Sequence, residues 1–144
     1  MKIAMSSDHA GYDLKGVLKS YIESKGHEVK DFGPENDSSV DYPDYGHPVA
    51  EAVKSEVAEL GIVMCGSGNG INMTMNKHQE IRSALCWTSE ISHMARLHNN
   101  ANVLALPARY ISEDLAKEIV DQFLETTFEG GRHQRRVEKI ACGS

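Results

Sequence analysis

Two short runs of this chain, residues 61–65 and 102–106, are apolar at nearly every position, and that restricts the fold more than any other feature. A strand with one wet face alternates polar and apolar residues. A strand apolar on both faces is covered on both, the condition of a strand inside a parallel sheet flanked by helices. Runs at 2–6, 28–32 and 83–86 read as three further strands. Between the strands the period becomes helical. Leu14, Val17, Leu18, Tyr21 and Ile22 recur at i, i+3, i+4, i+7 and i+8, with Gly26 placed to end the helix. Val49, Ala50, Val53 and Val57 repeat the pattern behind Pro48, a residue suited to a first helical turn. Leu115, Ile119, Val120, Phe123 and Leu124 form another stripe, opened by Ser112 as N-cap with Glu113 and Asp114 behind it. The order βαβαβαβαβα predicts one α/β domain over residues 1–144: a three-layer αβα Rossmann-like fold around a five-stranded parallel sheet.

The strand at 61–65 ends in Cys65, and the chain continues Gly66-Ser-Gly-Asn-Gly70. Alternating glycines admit positive φ and leave no Cβ in the way, so several backbone N–H groups can face one concavity at the start of the next helix. A helix N-terminus also favours a thiolate. Cys65 is therefore a candidate base or nucleophile beside a candidate oxyanion hole formed by Gly66, Ser67, Gly68, Asn69 and Gly70. In folds of this class ligands bind beyond the carboxyl ends of the strands. The chain brings Asp8 and His9 there after the first strand, and Asp41 and Tyr42 in the irregular stretch 33–44 after the second. His98, Asn99 and Asn100 close the helix before the fifth strand, Arg109 follows that strand, and Arg132, His133 and Arg136 open the last helical segment. Arg132 and Arg136, four apart, share a face where two guanidinium groups can grip a phosphate.

Each of these residues also has a plainer reading. A lone buried cysteine is a small hydrophobe. Asp8 is placed to cap a helix, His9 and His98 can be satisfied polar groups, Tyr42 can anchor a loop, and residues 132–139 can be a solvated face. The glycine loop directly behind Cys65 tips the balance there.

Cys65, Cys86 and Cys142 show neither Cys-x-x-Cys nor zinc spacing, so no disulfide framework and no metal are implied. The N-terminus enters a strand without a signal-like apolar region, and no span of about 18 apolar residues exists; a cytoplasmic protein with no membrane partner is expected. A net charge of −6 argues against nucleic-acid binding. The glycines run G-x-G-x-G, with Ile71 where a dinucleotide fingerprint needs its third glycine and a Cys-x5-Arg phosphatase its arginine, and no Walker motif is present. A base, an oxyanion hole, histidine acids and a phosphate clamp remain, without a cofactor. That set suits proton transfer next to a carbonyl.

Six stretches, Ser7-Asp-His-Ala-Gly11, Asp41-Tyr-Pro43, Cys65-Gly-Ser-Gly-Asn-Gly-Ile71, Asn76-Lys77, His98-Asn-Asn-Ala-Asn-Val103 and Glu129-Gly-Gly-Arg-His-Gln-Arg-Arg-Val137, together resemble the ribose-5-phosphate isomerase B family over essentially the whole chain. The resemblance implies interconversion of D-ribose 5-phosphate and D-ribulose 5-phosphate through a cis-enediolate, in the pentose phosphate pathway. It implies Cys65 as the base at the sugar C2, His98 as the acid that opens the furanose ring, and Asp8 and His9 at the sugar and its ring oxygen. It further implies residues 66–70 as the enediolate loop with Ser67 near both oxygens, and Asn99, Arg109, Arg132 and Arg136 as substrate and phosphate contacts, with His133 and Tyr42 beside them. A branch of the family uses a glutamate later in the loop, where this chain has Ile71. The resemblance implies a homodimer or dimer of dimers with shared sites: Cys65, Asp8 and the glycine loop from one chain, His98, Asn99 and the arginines from its neighbour. Leu106-Pro107-Ala108 precedes Arg109 where relatives tend to have glycine, and Met73-Thr74-Met75 replaces an alanine-rich stretch. Relatives that isomerise galactose or allose 6-phosphate, a non-catalytic sugar-phosphate sensor on the same fold and a thiol hydrolase built on Cys65 are the competing readings.

Overall fold

The structure, a computed structural model, describes residues 1–143. Five strands alternate with six helices: β1 Lys2–Ser7, α1 Tyr12–Ser24, β2 Glu28–Asp31, α2 Tyr42–Lys54, β3 Leu60–Cys65, α3 Asn69–Met75, β4 Ser83–Leu85, α4 Ser89–Asn99, β5 Val103–Pro107, α5 Glu113–Glu125 and α6 Arg132–Glu138. A 3₁₀ turn, His9–Gly11, joins β1 to α1. Every strand pair is parallel, in the order β2-β1-β3-β5-β4. The order reverses between β1 and β3, and a ligand crevice belongs there in an open α/β sheet. The predicted α/β sandwich is the observed one, with each strand placed to within one residue at either end.

Alternate residues of the central strands supply two separate cores. Ile3, Met5, Ile62, Met64, Leu104 and Leu106 face α1, α4 and α5, where Leu18, Ile22, Ile119 and Phe123 meet them. Ala4, Val63, Cys65, Val103 and Ala105 face α2 and α3, where Val49, Ala50, Val53, Ile71 and Met75 meet them. The second face carries the smaller side chains, so its helices lie close. A Cβ added at Gly61 would come within 2.8 Å of Val49 Cγ1 on α2. Cys65 therefore points to the α2/α3 side, whereas Ala95 of α4 packs into the opposite core. Among the described residues no helix is long and apolar enough to cross a membrane.

One element differs from its sequence reading. Helix α2 starts at Tyr42, with Pro43 in its first turn and Pro48 inside it, rather than at Pro48, and it ends at Lys54, so that Val57 of the expected stripe lies exposed beyond it. Its first two turns carry no apolar stripe. They are helical because they pack on α3: Gly46 sits where a Cβ would meet Thr74, Ile71 and Met75, and Tyr42 lies against Gly70. The irregular stretch after β2 is correspondingly shorter, residues 32–41. Elsewhere the expected boundary residues act as read. Asn100 closes α4 in a left-handed conformation, φ 48°, and Ser112 Oγ accepts the N–H of Leu115.

Candidate active site

Asp8, His9, Tyr42, Cys65 and the glycine loop gather at the carboxyl ends of β1 and β3. Buried Asp8 accepts the N–H groups of Ala10 and Gly11 through Oδ1 at 2.9 and 3.1 Å, so it does cap a helical turn, and its own N–H donates to the Met64 carbonyl at 3.2 Å. That last bond fastens the β1 turn beside the end of β3. His9 Nδ1 accepts the N–H of Val40 at 3.2 Å.

Cys65 is 4% exposed and free. Behind it Gly68 adopts φ +77°, and its missing Cβ would lie 2.5 Å from Leu85 Cδ1 and 3.0 Å from the Leu106 carbonyl. Only glycine passes through this gap. The N–H groups of Ser67, Gly68, Gly70 and Ile71 have no acceptor in the chain among the described residues; Ser67 Oγ takes the Asn69 N–H at 3.3 Å and its Nδ2 at 3.2 Å. A loop that leaves such donors unused next to a thiol can receive an oxyanion. The Tyr42 ring rests on Gly70, in the space a Cβ would need.

Arg109 reaches this loop by way of the residues that set its approach apart in sequence. Pro107 ends β5 opposite Cys65. The chain continues the ladder with Ala108 N–H on the Cys65 carbonyl and Arg109 N–H on the Gly66 carbonyl, each at 3.0 Å. The guanidinium consequently lies over Gly66, its Nη1 3.2 Å from where a Cβ would stand. Within one chain Arg109 thus sits with Cys65 and the glycine loop, apart from the other arginines with which the resemblance grouped it.

A second cluster forms at the end of α4. His98 and His133 stack with ring centroids 4.2 Å apart and planes 14° from parallel. The Glu129 carboxylate lies 3.5 Å from His98 Nε2 and 3.9 Å from His133 Nε2. Burial, then His98 and Arg132, hold His133 below the usual histidine range, against the opposing pull of Glu129. Asn99, Arg132 and Arg136 are exposed here, and among the described residues neither arginine forms an ion pair within the chain. The ligand atoms of His98, Glu129 and His133 fall within 4.8 Å of one another. Their orientation does not fit an ion, because a metal about 2.1 Å from each nitrogen must lie near both ring planes, and stacked planes share no such point.

The family model described as ribose/galactose isomerase matches residues 3–140. The chain belongs to the ribose/galactose isomerase family. Ribose-5-phosphate isomerase B of Escherichia coli is 42% identical over 141 residues, covering 98% of this chain and 95% of its own. The solved structure of the Clostridium thermocellum ribose-5-phosphate isomerase B superposes with a TM-score of 0.96 at 51% identity, covering 97% of this chain and 95% of that one. The Mycoplasma genitalium ribose-5-phosphate isomerase B, solved with bound ribulose-5-phosphate, superposes with a TM-score of 0.93 at 42% identity, over 96% and 93% of the two chains.

The expected residues of the family member therefore separate into two groups. Asp8, His9, Tyr42, Cys65, Gly66–Gly70 and Arg109 come together; His98, Asn99, Arg132, His133 and Arg136 collect near a different helix end. In-chain contacts of His98 run to Glu129 and His133, and none to the Cys65 group among the described residues. Glu129 went unread in the sequence. Its signal was the i, i+4 spacing to His133 within the Glu129–Val137 motif.

Proposed function

We propose that this protein interconverts D-ribose 5-phosphate and D-ribulose 5-phosphate, with Cys65 as base and His98 of the partner subunit as acid. The observation that carries this reading is a buried strand-end thiol beside a loop whose Ser67, Gly68, Gly70 and Ile71 N–H groups are unused. The likeness to isomerases of this name, one of them solved with ribulose-5-phosphate, supports the substrate.

The Cys65 thiolate removes the proton from C2 of the open aldose, and the electron pair moves through C1–C2 onto O1. The cis-enediolate lies over residues 66–71, where each preorganised donor is worth about 3 kcal/mol. Ser67, exposed at the lip of the loop, relays the proton that must pass between O1 and O2. Return of the sulfur-bound proton to C1 leaves the carbonyl on C2. Asp8 and His9 address the sugar, and His9 the ring oxygen. Arg132 and Arg136, which present exposed guanidinium groups from one helix, take the phosphate, with Asn99 and His133 beside them and Tyr42 lining the mouth.

A single chain holds the base on the α2/α3 side and His98 on the helix that packs into the other core. A homodimer whose two-fold axis brings the His98 group of one subunit to the Cys65 group of the other completes both sites. Chemistry of this kind belongs to soluble sugar-phosphate metabolism in the cytoplasm, in the pentose phosphate pathway.

Because the family's description also names galactose, a six-carbon aldose 6-phosphate is the second reading. A steady-state panel of five- and six-carbon aldose phosphates, read for ketose and for released phosphate, tests both. Ketose from ribose 5-phosphate, with kcat/KM above that of every hexose phosphate, is the expected result. Preference for a hexose phosphate selects the second reading, and phosphate release or binding without turnover overturns both.

A further inference from the structure

Lys15 is 2% exposed, an unusual place for an ammonium unless it is paired. Its Nζ donates to Asp31 Oδ1 and to the Pro34 carbonyl, both at 2.8 Å. The same Asp31 oxygen accepts the Gly33 N–H at 2.8 Å, and the Gly33 carbonyl accepts the Ser7 N–H at 3.1 Å. Tyr12 Oη donates to the Glu35 carbonyl at 3.1 Å. The start of the loop leaving β2 is thereby fastened to α1 and β1. Residues 35–39 are exposed, and the loop returns to the body of the protein at Val40, whose N–H donates to His9 Nδ1 at 3.2 Å. A ring nitrogen that accepts carries no proton, so the neutral His9 ring holds its proton on Nε2.

We propose that Lys15 is a positioning residue for the isomerisation: through Asp31 and Pro34 it holds the loop so that Val40 fixes His9 as the Nε2–H tautomer, which donates to the furanose ring oxygen. This rests on the isomerase reading above, in which His9 meets that oxygen. Neither ribulose 5-phosphate nor the enediolate contains that ring. A loosened loop consequently slows the opening of ribose 5-phosphate and spares enolisation.

The test is Lys15→Met, which keeps the aliphatic stem and removes the charge, read in two ways. Long-range ¹⁵N–¹H correlation of the histidine side chains in the free protein reports the His9 tautomer, with His9→Gln for assignment. Wild type is expected to show a bare Nδ1 and a protonated Nε2, and Lys15→Met a mixture. In D₂O, deuterium entry at C1 of ribulose 5-phosphate measures enolisation alone. Lys15→Met is expected to lower kcat for ribose 5-phosphate about tenfold, below the loss of a complete general acid, while exchange at C1 changes less than about twofold. Equal loss of both activities, a single unchanged tautomer in the variant, or a wild-type His9 protonated on Nδ1 overturns the proposal. Val40→Pro deletes the donor in the loop itself and makes the same test if Lys15→Met does not fold. Wild-type protein with the stated tautomer and no turnover of either pentose phosphate would remove the isomerase reading and, with it, the role of Lys15.

Discussion

Cys65 and Cys86 are both buried at sheet ends, yet their surroundings separate them. Burial pushes the Cys86 thiol up to about 12, where it stays protonated and packs as an apolar residue. Cys65 instead adjoins a loop of unused N–H donors. Cys65→Ala is expected to lower kcat at least about 10²-fold, the lower range for a general base, with the circular dichroism spectrum unchanged. Near wild-type turnover in a folded variant would remove Cys65 from the mechanism. Gly68 makes a second residue-scale case, since its φ of +77° and the 2.5 Å approach of Leu85 both exclude a Cβ. Gly68→Ala should destabilise the fold by about 1–3 kcal/mol in urea titration and reduce kcat, because the donors on either side of it turn away from the substrate.

At the scale of elements, short helix α6 has little to bury: Val137 is its buried residue, and Arg132, Arg135 and Arg136 are exposed. A helix so lightly attached to its own chain is suited to present charge outward. Arg136→Ala is expected to raise KM for the aldose phosphate about ten- to hundredfold, the loss of a charged hydrogen-bond pair, and to change KM little for the unphosphorylated sugar. Equal increases for both would mean that the arginine does not hold phosphate. Helix α4 is bound far more tightly, through Ser92 Oγ on the Ile119 carbonyl of α5 at 2.8 Å and through Ala95, which is buried in the core that α5 also lines. It is therefore a rigid support for His98 in the shared site proposed above.

At the scale of the whole molecule, two predictions follow from how the halves are distributed. In the homodimer proposed above, co-refolding Cys65→Ala with His98→Ala chains would make half the dimers mixed, each with one intact shared site, so activity should approach roughly a quarter of wild type. Mixed dimers verified by mass spectrometry and found inactive would show that each chain builds its own site. The second concerns pH. His78 is held below the usual histidine range by burial first and then by His47 and Lys54, and His133 is lowered likewise. A depressed histidine pKa means that the unfolded chain takes up more protons, so this stability is present above about pH 6.5 and is lost as pH falls through the folded-state values. Tm should drop between pH 7.5 and roughly 5, and His78→Gln should flatten that slope; an unchanged slope would contradict it.

Strands and amphipathic helices were legible because their signals are local: the all-apolar runs at 61–65 and 102–106, the stripe from Leu14 to Ile22, the cap at Ser112. The Cys65–Gly70 loop was legible for the same reason, since glycine spacing speaks for the backbone around it. What depends on partners distant in sequence was not. Helix α2 begins seven residues before its apolar stripe because α3 lies against it, and Arg109 reaches Gly66 because a strand ladder carries it there. Lys15 reads as a helix-surface lysine until Asp31 and Pro34 close over it. By itself the sequence determined an α/β sheet with a thiol and a donor loop at its carboxyl edge. Only the tertiary structure decided that Cys65 and His98 belong to opposite layers, because the face a side chain takes is set by the packing of elements, and periodicity within one element carries no record of its neighbours.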